Sequence, residues 1–480
     1  MAERLEKKEV KEIPRKADDL SEWYTQVCLR AELVDYAPVR GCIVLRPYGF
    51  AIWSNIQRAF DARFAATGHS NAYFPLLIPE SLLAREAEHV EGFAPEVAWV
   101  TEGGGEKLTE RLAIRPTSEV TVGTMYARWI QSHRDLPVLI NQWVNVLRWE
   151  KATRPFLRTL EFLWQEGHTA HATREEAADE VQRILEIYRE VAEDVLALSV
   201  IKGRKSANEK FAGAESTFAI EALMPDGKAL QAGTSHELAQ HFSKAYDITF
   251  TDVDEKVKHV WTTSWGVSWR ILGGLIMTHG DDRGLVLPPE IAPHQVVVVP
   301  IPKKGDEAVL PAARALALEL QTVARTKLDD RPEQSAPWKF NEWELRGVPL
   351  RVEIGPRDVA AGQVTLARRD TLEKLTVPRA EAGARVAELL EEIQGNLRRR
   401  AREFREERTV EVSDKDALLA ALSKQQGFVL APWCGRPECE LDIKAATAAV
   451  TRVFLDEPIS GACAYCGQPA RSKAYFARSY

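Results

Sequence analysis

The stretch from Arg148 to His171, RWEKATRPFLRTLEFLWQEGHTAH, constrains this chain most. It holds three arginines, three glutamates, two histidines and four large aromatics in 24 positions. The lead-in NVLRWE alternates apolar and polar residues as a half-buried strand does. A break falls around Ala152–Pro155, and TLEF then alternates again. The pattern predicts a β-hairpin with a charged loop. One face carries Arg148 and Glu150, then Thr159 and Glu161, with Arg158 at the loop end. Arginine forks grip phosphate oxygens bidentately, and a nearby carboxylate can orient an amine or bind magnesium. Charge alternation by itself more often marks a solvated, salt-bridged hairpin, so other segments have to decide.

At 480 residues the chain has room for about three domains and a large core. Its net charge of −7 gives no global sign of nucleic-acid binding, so any polyanion surface must be local. The N-terminus is charged and lacks a signal-peptide core, and no run reaches the ~20 apolar residues of a membrane helix. A cytoplasmic chain with no membrane segment is expected. Of six cysteines, Cys28 and Cys42 read as small buried hydrophobes. Cys434, Cys439, Cys463 and Cys466 are spaced C-x4-C, 23 residues, C-x2-C, each pair beside turn formers. In a reducing compartment that spacing favours a structural zinc ion held by four thiolates, with free structural cysteines as the alternative.

Residues 1–18 read as a mobile charged tail, and 19–289 as a mixed helix and strand block closed by Pro288-Pro289. Within it Thr173 and Glu176 form a capping box. The helix they open carries Val181, Ile184, Leu185, Tyr188, Val191, Ala192 and Val195 on its core face. Residues 290–378 read as a compact α/β unit. Gln295–Ile301 is a strand buried on both faces, and Leu310, Ala313, Leu316, Leu320 and Val323 share a helix face. Val348–Gly355 and Gly362–Arg369 are further strands. A polar connecting helix covers 379–408, and the cysteine-bearing module covers 409–480.

Three more segments carry candidate chemistry. In RPTSEVTVGTMYARWI, Thr117, Ser118 and Glu119 sit at a helix start, as plain caps or as a hydroxyl and carboxylate for a small cation. Ala232 to His236, AGTSH, reads as a small-residue loop opening a helix, where backbone can approach a ligand. In VWTTSWGVSWRILGGLIMTHGDDRG, a strand leads through Arg270 into an apolar helix from Ile271 to Met277. An arginine there suits a phosphate or a purine face. Asp281, Asp282 and Arg283 follow as a turn, paired locally or functional.

Together RPTSE, RWE…RPFLRTLEFLWQEGHTAHAT, QAGTSH, TTSWGVSWR, HGDDRGLVLPP and the cysteine module resemble the prolyl-tRNA synthetase family. This is a family of class II aminoacyl-tRNA synthetases, and the resemblance is to its archaeal and eukaryotic-like type, from Ser21 to Tyr480. The resemblance implies an α+β fold: an antiparallel catalytic sheet with flanking helices in 19–289, an α/β anticodon-binding domain in 290–378 and a small C-terminal zinc domain. It implies a proline–tRNA ligase that uses ATP and Mg2+ with L-proline and tRNA(Pro), and that forms a homodimer with Pro47 and Pro75 near the interface. By motif match, Arg148 binds the ATP α-phosphate and the proline carboxylate region. Glu150, Arg158, Thr159, Gln231, Thr234, Ser268 and Arg270 serve ATP. Thr117 and Glu119 take the prolyl ammonium, while Trp164, Glu166, His168, Phe211 and His236 shape the proline pocket. Arg148 and Arg270 are the catalytic pair. Glu353 and Arg357 are the implied anticodon contacts, and Tyr480 ends a tail that folds back towards the site or frays.

The residue types fit adenylate formation, an attack of a carboxylate on the α-phosphorus, which needs charge neutralisation and no general base. Bacterial-type relatives carry an editing insertion between the second and third motifs, for which this chain has no room. Alanine and cysteine must therefore be excluded by the pocket or cleared elsewhere. The rival reading is a synthetase-like binding protein that has lost catalysis. Arg148, Arg158, Arg270 and Glu119 all being present argues against it, and a threonyl, seryl or glycyl sister would lack this motif combination.

Overall fold

A computed structural model describes residues 13–87 and 97–480. Residue contacts divide the chain into two compact units whose segments interleave. One takes the described residues up to Asp35, with Leu45–Asn55 and His279–Leu397. The other takes Tyr36–Val44, the described part of Ile56–Thr278, and Arg398–Tyr480.

The larger unit is built on an eleven-stranded sheet. Towards one end of it, Val138–Leu147 and Glu161–His171 form the hairpin read from the sequence, in register from Val138 opposite Ala170 to Leu147 opposite Glu161. The strand ends at Leu147, so Arg148, Glu150, Arg158 and Thr159 lie in the connecting loop, which the Arg148 N–H to Leu160 O bond closes. Trp261–Ser268 pairs with the second hairpin strand, Ala229–Ala239 pairs with Trp261–Ser268, and Ser216–Leu223 follows, all antiparallel.

AGTSH therefore lies inside a strand, not in a loop opening a helix. The physical reason is packing. A Cβ at Gly233 would lie 2.9 Å from Tyr188 and Val267, and the Ser235 hydroxyl donates to the Val181 carbonyl. Small residues let the helix Arg174–Glu190 lie close on the sheet, and a strand covered on both faces loses the alternation that would reveal it. The Thr173–Glu176 capping box forms, and Val181, Ile184, Leu185 and Tyr188 are buried.

The cysteine-bearing segment does not build a sheet of its own. Phe428–Trp433, Val450–Phe454 and Ser472–Ala477 continue the same sheet, joined to the strand Val200–Arg204 where Phe454 faces Arg204. Beyond the last strand, the Tyr480 N–H donates to the Ala229 carbonyl and the Tyr480 hydroxyl donates to Asp226 Oδ2, at 3.1 and 2.9 Å. The tail is thus docked two residues from Gln231.

The smaller unit holds a five-stranded sheet. Val296–Pro300 lies between two parallel neighbours, and two antiparallel strands complete it. Val296–Val299 are fully buried, as their unbroken apolar run requires. Val309–Leu320 is the expected helix, but Val323 lies past its end and is exposed, while Val309 takes the core position. Asp281 pairs with Arg369 and Arg283 with Glu344, so that turn is structural. Of the charged N-terminus, residues 1–12 lie outside the described residues; Lys16 donates to Gly280 O and Asp282 Oδ1. Among the described residues no helix is long and apolar enough to cross a membrane.

Candidate active site

Four adjacent strands and the start of the helix Glu119–Trp129 enclose a cavity of about 210 Å³. It brings together Thr117, Glu119, Arg148, Trp164, Glu166, His168, Phe211, Gln231, Thr234, His236, Ser268 and Arg270, residues drawn from five separate motifs. Glu150, Arg158 and Thr159 do not line it. Glu150 and Arg158 pair in the hairpin loop at 3.1 Å, and Thr159 lines a neighbouring cavity with Cys42 and Arg154.

The acidic end is wired around Glu166, 2% exposed. Its carboxylate accepts from Ser118 Oγ at 2.5 Å, Ser118 N at 3.1 Å and Gln142 Nε2 at 2.6 Å, with His168 Nε2 3.4 Å away. Ser118 occupies the helix N-cap position without a capping bond, because its hydroxyl serves Glu166 instead. Thr117 donates to Glu119 Oε2 at 2.5 Å. Burial would push the Glu166 carboxyl up, but the His168 bond and charge, then Ser118 and Gln142, outweigh it and hold it below its usual range. Burial likewise opposes protonation of His168, yet Glu166 and Glu119 raise its pKa. Two acidic side chains and a hydrogen-bonded imidazole thus line this end of the cavity, a setting suited to a small ammonium.

His236 behaves oppositely. Burial, and then the charge of His168, push its pKa down to about 3. Thr217 Oγ1 accepts from the Phe211 N–H and lies 3.0 Å from His236 Nδ1, so the hydroxyl and the imidazole share a hydrogen bond. The Phe211 ring lies 4.6 Å from the His236 ring and walls this side.

The basic end holds Arg148 and Arg270. Arg148 Nε donates to Pro116 O at 3.1 Å, and the guanidinium lies over Trp164 and Phe162 at 5.3 and 5.5 Å. Arg270 Nε donates to Leu157 O at 3.0 Å. Burial, then the charges of Arg148 and Arg158, lower its pKa, so a cluster of cations faces this end. Gly167 makes the floor possible, since a Cβ there would fall 2.1 Å from the Trp265 ring.

Sequence reading missed Gln142, Thr217, Phe162 and Glu209. Gln142 and Thr217 are polar residues in alternating strands, which carry no signal of their own. Phe162 was within reach, as it alternates with Trp164 along one strand face. Of the anticodon candidates, Glu353 is buried and bonded to Arg351 and Lys374, whereas Arg357 is exposed.

The four C-terminal sulfurs lie within 4.8 Å of one another, with Cys439–Cys463 at 3.8 Å and Cys434–Cys466 at 3.6 Å. A tetrahedral zinc ion with bonds of about 2.3 Å separates its sulfurs by about 3.8 Å, so this donor set fits the metal. Gly435 and Gly467, each just after a cysteine, have φ of +76° and +71°, the left-handed turns that fold the chain around such a site.

Residues 99–279 match the tRNA synthetase class II core domain (G, H, P, S and T). Residues 295–389 match an anticodon binding domain, and 416–480 match the prolyl-tRNA synthetase C-terminal domain. The proline–tRNA ligase of Natranaerobius thermophilus is 55% identical over 98% of both chains, and that of Symbiobacterium thermophilum 54% identical over 99% of both. A crystal structure of prolyl-tRNA synthetase from Cryptosporidium parvum, complexed with halofuginone and AMPPNP, is 41% identical, with a TM-score of 0.93 over 97% of this chain and 96% of that one. With a site that pairs a carboxylate-rich end to an arginine-rich end on that fold, the chain belongs to the prolyl-tRNA synthetase family of class II aminoacyl-tRNA synthetases.

Proposed function

We infer that the chain activates L-proline with ATP, releasing pyrophosphate, and then transfers proline from the adenylate to the 3′ end of tRNA(Pro). The observation that carries this reading is the polarity of one cavity: a carboxylate-rich end around Glu119 and Glu166, and a guanidinium-rich end at Arg148 and Arg270. Proline has a secondary ammonium and a carboxylate a few ångströms apart. Held by its ammonium at Thr117 and Glu119, with its ring against Phe211, it presents the carboxylate towards Arg148. ATP enters as its magnesium complex. Arg148 and Arg270 draw the two anions together and stabilise the charge of the in-line displacement, with Gln231, Thr234 and Ser268 on the nucleotide side. The nucleophile is already ionised, so no side chain has to remove a proton in this step. Glu150 and Arg158, paired in the hairpin loop outside the cavity lining, would engage ATP only by rearranging that pair.

Zinc at the four cysteines leaves no ligand position open, so it supports the sheet and not the chemistry. Chelation should lower the melting temperature; an unchanged value would overturn the structural role. Arg357 is the better-placed anticodon contact of the two candidates. Tyr73, 71% exposed, and exposed Leu77 flank Pro75 and support a homodimer through this edge, in a cytoplasmic enzyme.

The test is ATP–pyrophosphate exchange with each of the twenty amino acids and no tRNA. Exchange strongest with proline supports the reading, and folded protein that exchanges with none of them, or best with another, overturns it.

A further inference from the structure

We propose that a second cavity in the larger unit, of about 160 Å³, binds a phosphate-type oxyanion. It lies where the turn after the strand Val200–Arg204 meets the cysteine-bearing segment, and it shares no lining residue with the substrate cavity. The proposal goes beyond the ligase reading, which stands whether or not this one does.

Three side chains lining it are almost wholly buried: Ser206 and Trp433 at 2% exposed and Ser472 at 3%. Among the described residues the Ser206 hydroxyl, the Ser472 hydroxyl and the Trp433 indole nitrogen all lack a hydrogen-bond partner. An unpaired buried polar group is costly, and three such groups belong to side chains that line this one cavity, where a ligand could complete them. The indole N–H can only donate, and hydroxyls can donate, so the missing partner must be rich in acceptors.

The charged residues agree. Arg204, Lys210 and Arg471 line the same cavity. Among the described residues Arg471 has no ion pair, Arg204 has only a distant one with Asp456 at 3.9 Å, and Lys210 donates to the Ala214 carbonyl. Lys205, also lining, is spent on buried Glu221 at 3.1 Å. The one carboxylate in the lining, Glu215, is paired with Arg174. Gly435, with its left-handed backbone, leaves room for the Arg471 stem, since a Cβ there would be 3.3 Å from Arg471 Cδ. A tetrahedral oxyanion with a few waters matches the volume and the donor excess, and its source is either free phosphate or a phosphodiester of bound RNA.

The experiment uses the full-length, zinc-loaded protein with the substrate cavity saturated by a non-hydrolysable prolyl-adenylate analogue. Inorganic phosphate is titrated at constant ionic strength while the Trp433 indole N–H resonance is followed, assigned by its loss in Trp433→Phe. A saturable shift is expected, weakened at least tenfold in Arg471→Met and in Ser472→Ala. Neither variant should change proline-dependent exchange. Ser472→Ala should keep its melting temperature in chloride, since that hydroxyl has no bond to lose. No response of the Trp433 resonance, an equal response to chloride, or a response untouched by both substitutions would mean that the cavity holds only water, and would overturn the proposal. Displacement of phosphate by an acceptor-stem RNA hairpin would identify the phosphodiester as the source, and failure to displace it would identify the free anion.

Discussion

The two ends of the substrate cavity are built on opposite plans. At the acidic end Glu166 is saturated: a hydroxyl, a backbone N–H, an amide and an imidazole all point at it. At the basic end Arg270 makes no salt bridge among the described residues and faces other cations. The first end is finished before substrate arrives, whereas the second is an unbalanced charge that an anion has to complete. In the function proposed above, recognition of the amino acid is thus preorganised, while stabilisation of the reacting phosphate is held in reserve for the moment at which charge moves.

This contrast can be broken most sharply at the basic end. Arg148→Ala should lower the rate of proline-dependent exchange by about 10³-fold with the fold intact, as losing a donor to transition-state charge does. Retained exchange would remove Arg148 from the chemistry. At the acidic end, Glu166→Gln cannot accept all of its donors, so the KM for proline should rise by about 10²-fold with a smaller change in kcat. A change confined to kcat would mean that the two ends do not differ as described.

Between the ends, His236 sharpens the comparison through pH. Its folded pKa of about 3 lies below the ordinary value of ~6.5, so the folded state resists its protonation. That contribution to stability is full above ~6.5 and drains away as pH falls towards 3. At pH 5 it should amount to a loss of about 2 kcal/mol relative to pH 7. Urea unfolding of His236→Gln should show a fall between pH 7 and 5 that is smaller by that amount, and equal falls would refute a buried neutral imidazole. The smallest effect is expected from Thr117→Val, which removes one hydroxyl from Glu119. It should raise the KM for proline by about tenfold, and no change would show that Glu119 is oriented without it.

The hairpin, the capping box and the doubly buried strand were legible because each is a local pattern. So was the grouping of the site residues, though through the motif resemblance and not through periodicity. Ser118 looked like a helix cap because its position is that of a cap; that its hydroxyl serves a glutamate 48 positions away is a tertiary fact. Gln142 was invisible for the same reason, being one polar residue in an alternating strand. AGTSH misled because small residues mark close approach, and here what approaches is a helix. The joining of the cysteine segment to the central sheet rests on strand pairing between distant residues, which leaves no trace in either strand's own sequence.

That shared sheet also bears on how the protein is made. Glu221 lies buried on the strand Ser216–Leu223, and its bidentate partner Arg452 comes 231 positions later. At a ribosomal rate of ~5–20 residues per second, roughly 12–46 s separate the emergence of the two. Through that interval the strand Val200–Arg204 has no neighbour on the side that Val450–Phe454 later covers, and Glu221 has no arginine. An open strand edge beside a buried carboxylate that is paired with Lys205 but still lacks its arginine is what a nascent chain has to be shielded from, by a chaperone or by keeping this part of the core loose. In this molecule a segment synthesised late covers an open strand of the sheet whose inner strands line the substrate cavity.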